Sequence, residues 1–169
     1  MSGVFKQVVV AFLVVASLFL VNTVAYADPQ EDVQKYTEQI KQNPNDSNAY
    51  NLRGCAYRDL KQHERAIADF NKAIEINPSW SAPYNNRGNS YLDLGYYHLA
   101  IDDCNKSIAL DPNGPIAYNS RCCAYFRLKQ YERAIADFNK ALELNPNYTE
   151  AKNNRKLCYK VLDTPEAPN

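Results

Sequence analysis

Four asparagines, Asn51, Asn85, Asn119 and Asn153, recur every 34 residues, and four arginines, Arg53, Arg87, Arg121 and Arg155, keep the same beat. A carboxamide carries donors and acceptors together, so a row of four can hold an extended main chain without reading its side chains. Asp69, Asp103 and Asp137 supply carboxylates on the same period, each 18 residues ahead of Arg87, Arg121 or Arg155. Arg155 has no acidic residue of its own unit to pair with, so the spacing predicts that each Asp reaches forward into the next unit. On that reading Arg53 lacks a partner, because Lys35 holds the preceding place. Buried pairs of this kind fix register more than they stabilise.

Thiols are the other reactive groups. Cys55, Cys104, Cys122, Cys123 and Cys158 are five in number, so they cannot all pair internally. A disulfide between Cys104 and Cys122 or Cys123 is the first pairing to expect in an oxidising compartment. For Cys104, Cys122 and Cys158 the opposing reading is a small apolar core residue, while Cys55 and Cys123 face the inner side. No C-x-x-C, haem-attachment or zinc spacing is present, so no cofactor or metal is expected. Adjacent Cys122 and Cys123 make a poor redox pair, with nothing nearby to lower a thiolate pKa. His63 stands where Tyr97 and Tyr131 stand in their units, a packing substitute, and His98 takes the place of Glu64 and Glu132. Neither sits in a catalytic constellation, and no enzyme is expected.

The elements that carry these residues show in the hydrophobic pattern. Tyr50, Tyr57 and Leu60 share one face of a helix. After a break at Lys61–Gln62, Ala66, Ile67, Phe70, Ala73 and Ile74 share another, which ends before Pro78. The pattern repeats in units 47–80, 81–114 and 115–148, and Arg65–Ala73 recurs letter for letter as Arg133–Ala141. Residues 28–46 read as a leading half-repeat helix, 149–163 as a capping helix and 164–169 as a disordered tail. Residues 1–27 combine Lys6, the apolar run Val8–Val21 and Ala25-Tyr26-Ala27, a secretory signal cut before Asp28. Counting Asn22–Ala25 into the run leaves a retained anchor as the alternative. Either way the mature chain is expected outside the cytoplasm, in a periplasm or the extracellular space. Lysines plus arginines number 19 and acidic residues 19, without a basic stripe, which argues against a nucleic-acid partner.

The spacing Tyr50-x-x-x-Gly54-x-x-Tyr57, then Ala66-x-x-x-Phe70-x-x-Ala73 and Pro78, resembles the tetratricopeptide repeat. The resemblance covers 47–148 and implies an all-α, right-handed α-solenoid of three helix hairpins. It also implies a non-enzymatic interaction module that binds an extended peptide segment in a concave groove. The expected groove residues are Asn51, Asn85, Asn89, Asn119, Asn153, Arg58, Leu92, Ile116, Phe126 and Arg127, with the apolar end toward the third unit. Members that grip a C-terminal carboxylate do so with Lys and Arg, whereas the matching places here hold Asn48, Ile116, Glu150, Ser120 and Asn154. Two departures stand out: Cys122 replaces the small glycine, and Cys104 replaces the bulky aromatic, so the second unit is expected to pack less tightly. The rival reading is self-association, as a dimer through Cys55 or an end-to-end stack.

Overall fold

The computed structural model describes residues 28–163. The proposed signal at 1–27 and tail at 164–169 lie outside the described residues. Eight helices follow one another, with no strand among the described residues. They are α1 (Pro29–Gln42), α2 (Ser47–Asp59), α3 (His63–Ile76), α4 (Ser81–Asp93), α5 (Tyr97–Leu110), α6 (Pro115–Arg127), α7 (Tyr131–Leu144) and α8 (Thr149–Asp163). No described helix is long and apolar enough to cross a membrane.

Starts and stops follow from local chemistry. Asp28 caps α1 by accepting from Gln30 N at 2.9 Å, and Asp46 caps α2 by accepting from Ala49 N at 3.0 Å. The two helices of each hairpin are separated by one left-handed residue: Lys61 (φ 61°), Gly95 (φ 82°) and Lys129 (φ 58°). In the first, Lys61 N donates to Arg58 O and Gln62 N to Tyr57 O, both at 2.8 Å. The same paired bonds close the second and third turns, a Schellman motif three times over. That motif turns the chain sharply enough for each second helix to fold back on its first.

Small residues then let the paired helices meet. A Cβ on Gly54 would lie 2.6 Å from Phe70 Cε1, so only glycine accommodates that ring. Ala66, Phe70 and Ala73 are wholly buried around it, as are Ala134 and Ala141 beside Phe138 in the third unit. At the glycine the second unit is looser than the first, where the corresponding distance is 2.6 Å, as expected from Cys104. Cys104 is fully buried, and a Cβ on Gly88 would already meet Ala100 O and Asp103 Cβ at 3.3 Å and Cys104 Sγ at 3.4 Å. The small thiol faces the retained glycine.

Hairpins stack in sequence, and α8 closes the end over Cys122, Phe138 and Ala141 by burying Ala151 and Cys158. First helices reach one another across successive units, α2 touching α4 and α4 touching α6. They form the inner layer of the solenoid, and the second helices form the outer one.

Candidate functional site

The arginine ladder lies between the layers, and its wiring differs from the forward reach expected from sequence. Arg53 donates through Nε and Nη2 to the two oxygens of Asp69, at 2.7 Å each. Arg87 holds Asp103 at 2.8 and 2.6 Å, and Arg121 holds Asp137 at 2.8 and 2.6 Å. Every pair is bidentate and lies within one hairpin, because the facing positions of its two helices are 16 residues apart. Arg53 therefore has a partner. The link between units runs to a neutral acceptor and is made by another guanidinium nitrogen, which reaches back to the preceding unit. Nη1 of Arg87, Arg121 and Arg155 donates to Oδ1 of Asn71, Asn105 and Asn139, and Arg53 uses Thr37 Oγ1 at 3.1 Å. Asn71, Asn105 and Asn139 keep the 34-residue beat as well, so the period itself carries the signal for this link.

Each of the first three guanidiniums is also sandwiched between two tyrosines, Arg53 for example lying 5.6 Å from Tyr50 and 5.9 Å from Tyr57. The hydrogen bond to its aspartate is the main reason each guanidinium pKa rises. Three N–H groups of each of these guanidiniums are thus held within the protein.

The disulfide expected between Cys104 and Cys122 or Cys123 is absent: all five cysteines are free thiols. Cys104 faces Gly88, while Cys122 packs with Phe138 and Cys158 in the next unit. Burial pushes the Cys104 thiol up to about 12 and raises Cys122, Cys158 and Cys55 as well. Cys123 alone is drawn down, by a hydrogen bond from Cys122. Cys122 has a single S–H, however, and its 2.7 Å contact to Asn119 O claims that proton. We therefore assign Cys123 no thiolate character. His63 Nδ1 is buried without a hydrogen bond, 3.8 Å from Asp93 Oδ2.

On the inner layer, α4, α6 and α8 wall a groove of about 730 Å³. Leu92, Tyr97, Cys123, Phe126 and Leu157 line it, with Asp93, Arg127 and Asn154 as its polar members. Phe126 is steadied edge-on by Tyr131, centroids 5.4 Å apart. Of the groove residues named from sequence, Leu92, Phe126 and Arg127 line this hollow. Ile116, 58% exposed, lines a second one nearer the start of α6. Arg58 and Asn89 are half-buried outside both, and Arg58 approaches Asp59 at 3.8 Å. The asparagines are not equal rungs: Asn51, Asn85 and Asn119 are 5%, 8% and 6% exposed, whereas Asn153 is open. Asn51 Oδ1 accepts from Asn86 Nδ2 at 2.9 Å, a partner not anticipated from the sequence.

Known proteins agree with this geometry. Residues 47–79, 81–113 and 115–148 each match the family model of the tetratricopeptide repeat. No curated protein matches the chain. Among solved structures, the first TPR of Spaghetti (RPAP3), bound to the HSP90 peptide SRMEEVD, is 29% identical with a TM-score of 0.68. That likeness covers 70% of this chain and 94% of the other. The Arabidopsis OM64 TPR domain is 32% identical with a TM-score of 0.67, over 68% and 95%. MamA from Desulfovibrio magneticus RS-1, residues 41 to the end, shares the fold at 23% identity, TM-score 0.72, over 81% and 77%. Three matched repeats in consecutive register place this chain in the tetratricopeptide repeat family, whose arrays are protein-interaction scaffolds.

Proposed function

We propose that this chain captures an extended segment of another protein on its inner layer and performs no chemistry of its own. The groove walled by α4, α6 and α8 carries the reading: it is an open channel of mixed apolar and polar lining on the face where a solenoid of hairpins presents its concave surface. A peptide-bound structure among the similar folds supports the same mode. The basic residues that would clamp a terminal carboxylate are missing, so the segment is held by apolar side chains and amides. Residues 1–27 direct export, and the mature chain works outside the cytoplasm. A mature N-terminus at Asp28 is the expected result of intact-mass analysis, and a retained leader would make the protein an anchored one.

Replacing Phe126 and Leu157 together by Ala is expected to weaken capture of the partner at least tenfold, with helicity by circular dichroism unchanged. Equal affinity would overturn the groove reading. A second reading, self-association, is favoured by Leu157, Tyr159 and Leu162, exposed by 47%, 47% and 43% on the terminal helix. Sedimentation distinguishes the two: a dimer lost on Leu162→Lys supports stacking, and a monomer removes it.

A further inference from the structure

The last two residues of each first helix change from unit to unit, and with them the charge at the inner groove. In the first unit they are Arg58 and Asp59, which approach at 3.8 Å and offset each other's charge. In the second they are Leu92 and Asp93, and in the third Phe126 and Arg127. An apolar residue beside a single charge leaves an anion on α4 and a cation on α6 without a neighbour to offset them. The Asp93 side chain is 46% exposed, and His63 Nδ1 approaches it only to 3.8 Å, too far for a hydrogen bond. Arg127 is exposed, and no carboxylate among the described residues pairs with it. Among the described residues, these two are the only charged members of the groove lining, beside Leu92, Phe126 and Leu157.

We propose that the groove selects a segment bearing one basic and one acidic side chain at positions i and i+3, with apolar residues between them. The basic group lies against Asp93 and the acidic group against Arg127. The inference rests on the groove reading above. Asp93 and Arg127 stand one period apart on helices that touch, and packed helices lie about 8–10 Å apart. Side chains i and i+3 of a polyproline II segment share a side and lie about 9 Å apart, three rises of about 3.1 Å. The spacing of the two charges therefore matches that of the segment. Exposed ion pairs contribute little each, so the charges set preference while Leu92, Phe126 and Leu157 supply the apolar contact. A segment with two basic side chains is attracted at Asp93 and repelled at Arg127, and one with two acidic side chains meets the reverse. A neutral segment gains at neither.

The test is a titration of the ¹⁵N-labelled protein, at low salt, with four acetylated and amidated peptides: Lys-Leu-Leu-Glu, Gln-Leu-Leu-Gln, Lys-Leu-Leu-Lys and Glu-Leu-Leu-Glu. Saturable shifts at the N–H groups of Leu92, Asp93, Phe126 and Arg127 are expected. Lys-Leu-Leu-Glu should bind about fivefold tighter than each of the other three. That preference should fade in about 1 M salt, where the screening length falls to about 3 Å. Asp93→Lys leaves two cations and should make Glu-Leu-Leu-Glu the tightest, and Arg127→Glu should do the same for Lys-Leu-Leu-Lys. Both residues are exposed, so each exchange leaves helicity intact. No binding by any peptide, equal binding by all four, or a preference that neither exchange moves overturns the proposal. If all four bind equally and Phe126→Ala with Leu157→Ala abolishes them, the charge selection fails and the groove stands. If that double variant keeps both the affinity and the preference for Lys-Leu-Leu-Glu, the groove reading fails and the charge selection stands.

Discussion

At the residue scale, the most consequential atoms belong to Arg87 and Asp103 and their counterparts. Two charge-assisted bonds at 2.8 and 2.6 Å, two tyrosine faces and an amide from the preceding unit all converge on one guanidinium. Asp103→Ala leaves that cation unpaired between the layers and should cost about 3 kcal/mol in urea unfolding. Asp103→Asn should recover part of the loss. Thiol chemistry reports the core in a second way. Cys104, Cys122 and Cys158 are buried, so only Cys55 and Cys123 should react with a thiol reagent before unfolding, and all five after, without added reductant. Because Cys104 is raised from 9.0 to about 12, its unfolded form loses a proton first as pH rises. Its contribution is complete below pH 9.0 and is lost progressively as pH climbs toward 12. The identities of these residues were legible from their period. Their pairing was not, since Arg and Asp repeat together and offsets of 16 and 18 residues differ only in which helices face each other.

At the element scale, each hairpin depends on one left-handed turn and one close approach. Gly54→Ala would place a methyl 2.6 Å from the Phe70 ring carbon, an overpacking that should cost about 1–3 kcal/mol by thermal or chemical unfolding. Retained stability would mean the two helices separate more easily than the buried ring implies. Helix boundaries were readable because prolines, the Lys61–Gln62 break and apolar periodicity all agree. How far the packing around Cys104 loosens was not. A substitution list shows a lost aromatic, whereas packing depends on the facing residue, and there the second unit keeps Gly88 while the third has traded it for Cys122.

At the scale of the whole molecule, the array is a layered stack whose inner helices adjoin and whose end is sealed by α8. Stability in such a stack is a sum of units and junctions, which is why a half-repeat at one end and a polar helix at the other suffice. The inner side was legible as a surface from Asn51, Asn85 and Asn119. Their burial was invisible to the sequence, because it follows from how closely α2, α4 and α6 meet. The function assigned here depends on the inner layer being where a partner lies. A photo-crosslinking side chain at Leu92 or Leu157, compared with Lys106 or Lys140 on the outer helices, tests that directly. The expected result is one discrete adduct from the inner positions and none from the outer ones. Adducts from Lys106 or Lys140 alone would contradict it.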